Sequence, residues 1–138
     1  MPGLYNEHVM EIFQNPKNVG LLRNANGVGV SEDVKGGEIV KVYIKVENNV
    51  ITDSKFKTFG GVTAIVASSI ATELIKERTL EDALLLSQDD ILQIIGKLTE
   101  DKIKSISLVV NAVKLAVEDY KEKLEKEAKR LEKLNQAK

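Results

Sequence analysis

Cysteine is absent from this 138-residue chain, and His8 is its only histidine. Together the two absences exclude disulfides, thiolate nucleophiles, zinc fingers, cysteine-ligated iron–sulfur clusters and any Cys–His pairing. What is left for metals is oxygen chemistry from carboxylates, hydroxyls and backbone carbonyls, which suits Mg²⁺, Ca²⁺ or Mn²⁺ better than soft metals. An excess of one sign of charge is missing too. With 20 basic and 21 acidic residues the formal net charge is −1, so no global field draws the chain to nucleic acid or an anionic membrane, and neither is expected as a partner. No apolar run approaches the ~20 residues of a membrane-spanning helix. The opening MPGLYNEHVM also lacks the basic and long apolar regions of a secretory signal. A cytoplasmic protein is expected. No break in composition divides the chain, so we expect one domain over residues 1–120 and a charged extension over 121–138.

The positive signals are periodicities. Val9, Ile12 and Phe13 follow Tyr5 at helical spacing, and QNPKNVG stops that helix because Pro16 disfavours a helical Asn15. VGVSED alternates weakly and reads as a first strand. The stronger alternation in EIVKVYIKV puts Val40, Val42, Ile44 and Val46 on one face and Ile39, Lys41, Tyr43 and Lys45 on the other. A turn at Glu47–Asn49, a strand resuming at Val50 and the Gly36–Gly37 turn complete a meander of three antiparallel strands. One face of it is charged and solvated, and helices should cover the other. From Val62 the period becomes helical through Ile65, Val66, Ser69, Ile70, Leu74 and Ile75. TLED at Thr79 and SQDD at Ser87 have the capping pattern of two short helices, the second stopped by Gly96. A long helix from Lys102 to about Leu134 carries a stripe of Ile103, Ile106, Val110, Val113, Val117, Tyr120 and Leu124. Its last turns should project beyond the domain. There Leu124, Ala128, Leu131 and Leu134 form either one side of a solvated helix end or a seam for a homo-oligomer.

The candidate sites each admit a plain alternative. Gly60–Gly61 joins a strand to a helix start, where unpaired N–H groups can hold an anion, or is simply a tight turn. Glu32, Asp33 and Glu38 surround Gly36–Gly37 and either gather a hard cation or are surface charges. Together these residues could make a small-ligand or hard-metal binding module. Lys104 and Ser105 are a conceivable base and nucleophile, but adjacent helical positions diverge, which favours helix surface. His8 reads as a surface residue rather than a ligand, and no metal site is expected.

The stretches NPKNVG, GGEIVKVYIKV, ITDSKFKTFGG, ATELIKERTLEDA and AVKLAVEDYK match in order, spacing and character those of a known family. Over roughly Tyr5 to Lys121 the chain resembles the iron–sulfur cluster scaffold family, IscU or the NifU N-terminal domain. The resemblance implies an α+β fold: a three-stranded antiparallel sheet packed by helices, with a long C-terminal helix. It also implies a site of three cysteines, an acid and a histidine that binds an iron–sulfur cluster, iron or zinc. By motif position those cysteines fall on Gly36, Gly61 and Ser105, the histidine falls on Lys104, and the acid is kept as Glu38. The chaperone-recognition stretch of the family reads LTEDK at Leu98–Lys102. The expectation is therefore a non-enzymatic scaffold homologue without cluster ligands and without a cofactor. It would act by binding a cysteine desulfurase or another scaffold subunit.

Overall fold

A computed structural model describes residues 6–137; Tyr5, at the head of the first helical stretch, and Lys138, at the end of the extension, lie outside the described residues. The first helix, α1 (Glu7–Gln14), starts where the Asn6 side chain accepts the Val9 N–H at 2.8 Å, and it ends at Asn15 before Pro16. Three strands follow: β1 (Gly27–Asp33), β2 (Glu38–Glu47) and β3 (Val50–Phe59). They pair antiparallel in the order β1-β2-β3, with Asp33 opposite Glu38 and Ile39 opposite Phe59.

Alternation along β2 sets the layers. Val40, Val42, Ile44 and Val46 are all buried against the helices, each worth about 1.5–3 kcal/mol of transfer free energy. On the other face Lys41 and Lys45 are half-buried and Ile39 is exposed, as the alternation predicts. Tyr43 departs from the expected solvated row, being only 4% exposed. The ammonium of Lys41 lies 5.3 Å from its ring centre, so a lysine stem covers the aromatic face.

Helix α2 (Val62–Ile75) is buried around most of its circumference, including Thr63, Ser68, Ser69 and Thr72. Two short helices, α3 (Leu80–Leu84) and α4 (Gln88–Ile95), start at the expected caps. Thr79 accepts from the Asp82 N–H, and Ser87 and Asp90 form a reciprocal capping box. Gly96 ends α4 at φ +95°, a conformation that disfavours a side chain.

The loop NPKNVG is tied down at several points. Asn18 sits at φ +67°, its carbonyl accepts the Phe56 N–H, and the Gly20 N–H donates to the Phe56 carbonyl, both at 2.8 Å. The Lys17 N–H reaches Ser69 Oγ at 2.9 Å, and the Asn18 amide donates to Thr72 and Glu73. The loop thus pairs with the outer edge of β3 at Phe56, while Glu77 and Arg78 pair with the same edge at Ile51, the arrangement that keeps an edge strand from recruiting other chains.

The long helix α5 runs from Glu100 to Gln136, 37 residues, a turn longer than the sequence pattern indicates. Its buried face is Ser105, Ile106, Val109, Val110, Ala112, Val113, Ala116 and Val117, so the stripe is wider than the large apolar residues alone suggest. The small residues let α5 lie directly on β1. A Cβ added at Gly29 would sit 2.1 Å from the Ala112 carbonyl oxygen, and one at Gly27 2.6 Å from that of Ala116. The carboxylate of Asp119 fastens the same crossing by accepting the Val28 N–H at 2.8 Å and pairing with Lys123 at 2.9 Å. Burial opposes its ionisation, but those two partners outweigh burial and hold its carboxyl below the usual range. From Lys121 to Ala137 every described residue of the chain is exposed, so the last turns of α5 project into solvent.

Candidate functional site

Three connections meet at one end of the sheet: the β1–β2 turn, the β3–α2 turn and the first turns of α5. Between them lies a cleft of about 600 Å³, lined by Gly36, Glu38, Gly61, Lys104 and Ser105 among others. All of the positions matching the family ligands therefore come to one place, although residue 36 and residue 105 are far apart in sequence.

Glu38 is the hub. It opens β2 on the helix-facing side, and its carboxylate accepts from Ser105 Oγ at 2.5 Å and from the Gly61 N–H at 3.3 Å. Gly61 is the N-cap of α2 and offers no side chain to its own helix. The free N–H at that helix end thus meets an anion after all, and the anion is the protein's own Glu38. Of the two readings of Gly60–Gly61, the turn stands, and the N–H at its end is met from within the protein. Gly60 lies against the same carboxylate, since a Cβ there would be 2.8 Å from Glu38 Oε2.

Ser105 also departs from expectation. Placed on the helix surface by the sequence reading, it is 5% exposed and points inward to Glu38, while Lys104 is exposed at the rim. Lys104 and Ser105 diverge as adjacent helical positions must, and only the serine enters the core side. Ser105 has a carboxylate as acceptor, and the nearby Gly61 N–H, a donor an oxyanion would need, is taken by the same carboxylate, so nucleophilic catalysis gains no support from the geometry.

The acidic trio does not assemble. Asp33 and Glu38 are cross-strand partners on the helix-facing side, whereas Glu32 pairs with Ile39 on the opposite face. Asp33 is occupied locally, accepting the Gly36 N–H at 3.1 Å. Among the described residues no group of three His, Asp or Glu side chains is placed to hold a metal ion. The hard-metal alternative built on Glu32, Asp33 and Glu38 is thereby withdrawn, because strand alternation sends Glu32 the wrong way. His8 is exposed on α1, outside the cleft.

Lys35, Asp101 and Lys102 also line the cleft and carry no motif of their own. Their adjacency to Gly36 and Lys104 is the only sequence signal that points to them. The lining therefore mixes both signs, Lys35, Lys102 and Lys104 with Asp33, Glu38 and Asp101. Room is uneven around it. A Cβ at Gly61 would meet nothing within 4 Å, while one at Gly36 would lie 2.5 Å from Asp33 Oδ2, the movable end of a side chain.

Comparison with known proteins agrees with this layout. The family model described as NifU-like N terminal domain matches residues 4–127. The iron–sulfur cluster assembly scaffold protein IscU 1 of Archaeoglobus fulgidus is 38% identical over 141 aligned residues, covering 94% of this chain and 92% of that protein. IscU of Aquifex aeolicus, another cluster assembly scaffold protein, is 42% identical over 118 residues, covering 84% and 75%. Among solved structures, the N-terminal NifU-like protein of Brucella abortus superposes with a TM-score of 0.67 at 20% identity, covering 86% of this chain and 94% of that one. That likeness speaks to the fold. With the matched segment spanning nearly the whole domain and the ligand positions gathered in one cleft, the chain belongs to the NifU-like N-terminal domain family of iron–sulfur cluster assembly scaffolds.

Proposed function

We propose that this chain is a scaffold homologue that does not itself hold a cluster and works through protein contacts, as a non-catalytic partner-binding or regulatory paralogue in cluster assembly. One observation carries the reading: Glu38 lines the cleft and is bonded to Ser105 and to the Gly61 N–H. The donors that converge there are a carboxylate, a hydroxyl and backbone groups, with the Lys104 ammonium at the rim. None is the soft thiolate that iron in a sulfide cluster takes. A serine hydroxyl stays protonated at neutral pH, and a fixed cation at the rim repels Fe²⁺ or Zn²⁺. Sulfur delivery needs a thiol to accept it, and the chain has no cysteine. An iron–sulfur cluster, or iron or zinc bound ahead of one, does not fit these residues.

What remains is the surface of a scaffold. A cysteine desulfurase or another scaffold subunit is the partner this reading names. The test has two halves. Anaerobic incubation with Fe²⁺ and sulfide is expected to leave the purified chain colourless, and a brown protein with stoichiometric iron and acid-labile sulfide defeats the first half. Mixed with a cysteine desulfurase on a sizing column, the chain is expected to co-elute. Two separate peaks under all conditions defeat the second.

A further inference from the structure

The sheet has a face that the helices leave open, and it is unlike the rest of the surface. Phe59 is 74% exposed, and its cross-strand partner Ile39 is 41% exposed. Val30, two residues along β1 from Glu32, the residue opposite Ile39, lies diagonal to Ile39 on the same face and is 48% exposed. Val34, 83% exposed, adds to the apolar surface in the neighbouring β1–β2 turn. Exposed apolar side chains scattered singly need no explanation, but neighbours across three strands form a patch. The next rows of the same face are basic. Lys41 lies opposite both Val30 and Lys57, and Lys55 lies opposite Tyr43. The acids on this face stand at its margins, Glu32 beside Ile39 at one end and Asp53 and Glu47 at the other, with Lys41, Lys45, Lys55 and Lys57 between them. Positive charge is thus gathered beside the apolar patch against the balance of the molecule.

We propose that this face docks a protein partner whose surface offers an apolar pocket edged by carboxylates, with Phe59 as the anchor. The inference rests on the partner-binding reading above and says where that binding occurs: on the open sheet rather than in the cleft. Charge complementarity selects the occupant. A second copy would set lysine field against lysine field, and nucleic acid would gain little from Phe59 and Ile39 and would meet Glu32 and Asp53. An exposed aromatic filling a pocket, with charges at its margin steering the encounter, is the common anatomy of a protein contact.

The experiment measures binding of a cysteine desulfurase to the full chain at low and at moderate salt. Phe59→Ser and the pair Lys41→Glu/Lys57→Glu are each expected to weaken binding at least about tenfold. The charge-matched control Lys97→Glu/Lys114→Glu, at exposed positions on the helical side, is expected to bind as the parent does. Circular dichroism confirms that each variant is folded, and Phe59→Leu, which keeps an apolar anchor, should recover most of the loss. Parent affinity in both the Phe59 and the lysine variants overturns the docking face and leaves the partner reading standing. Failure of the parent chain itself to bind defeats the partner reading, and the docking face falls with it. Tight lysine-dependent binding of a single-stranded oligonucleotide or of phosphatidylserine vesicles, stronger than that of the desulfurase, also overturns the proposal.

Discussion

Ser105 Oγ donates to Glu38 Oε1 across 2.5 Å, joining the second turn of α5 to the first residue of β2. With the Gly61 N–H as its other partner, the Glu38 carboxylate ties together the three connections that meet at the cleft. A hydrogen bond to a charged group contributes more than a neutral one, and removing either end leaves a group without its partner. Ser105→Ala should therefore cost about 1–2 kcal/mol in urea unfolding. Glu38→Ala should cost more, about 2–3 kcal/mol, because it leaves the Ser105 hydroxyl buried without this acceptor and the α2 end without its anion. Unfolding midpoints equal to that of the parent would show that the contact is incidental.

Gly29 and Gly61 should respond in opposite ways to alanine. At Gly29 the new Cβ meets the carbonyl of Ala112, backbone that cannot step aside, so Gly29→Ala should destabilise by about 2 kcal/mol or more. At Gly61 the space is open and φ is −87°, so Gly61→Ala should stay within about 0.5 kcal/mol of the parent. Thermal melts of the two variants side by side decide the matter, and similar melting temperatures would mean that α5 does not lie so close to β1.

If the cleft gathers the family's ligand positions, thiols placed there should create a metal site. Gly36→Cys/Gly61→Cys/Ser105→Cys is expected to bind about one Zn²⁺ per chain by elemental analysis after dialysis, supported by tetrahedral sulfur coordination. The Asp33 carboxylate must swing away from residue 36, which a side-chain end can do. A metal-free triple variant would mean that these positions do not converge.

Asp119 gives a pH dependence with a definite sign. Its folded carboxyl titrates below its unfolded value, so its contribution is fully present above the unfolded pKa of about 3.9 and is lost as pH falls through the lowered folded value. Asp119→Asn should cost about 1 kcal/mol at neutral pH, and the difference from the parent should vanish at lower pH, in the acid limb of the stability profile. A difference that persists undiminished below pH 2 to 3 would assign the effect to packing instead.

The projecting turns of α5 should be dispensable for folding. A chain ending at Lys126 keeps the Asp119–Lys123 pair and every buried residue of the helix. It should melt within about 3 °C of the parent. A large drop that depends on protein concentration would reveal that the seam of Leu124, Ala128, Leu131 and Leu134 holds chains together.

Signals that repeat along the chain were legible, and signals made by one residue across the fold were not. Val40, Val42, Ile44 and Val46 alternate, so the sheet and its buried face follow from period alone. Thr79 and Ser87 cap helices through local spacing, and their starts were readable to the residue. Ser105 is a single hydroxyl on an otherwise apolar face, and nothing local says that its acceptor lies 67 residues away. Ala112 and Ala116 widen the buried face of α5 because Gly27 and Gly29 admit its backbone, a pairing between distant segments. Asp119 likewise looks like one more charge on a charged helix until β1 presents the Val28 N–H to it. Glu32 is the exception, since alternation along β1 already separates it from Asp33.

α5 is unbroken from the cleft to Gln136 and is held against β1 as far as Asp119, so its last turns extend a rod whose direction the sheet already fixes. The stretch beyond Asp119 spans roughly 25 Å at ~1.5 Å per residue. The far tip therefore stands at a set distance and bearing from the cleft, so anything bound along the exposed turns is positioned relative to Glu38 by the helix itself.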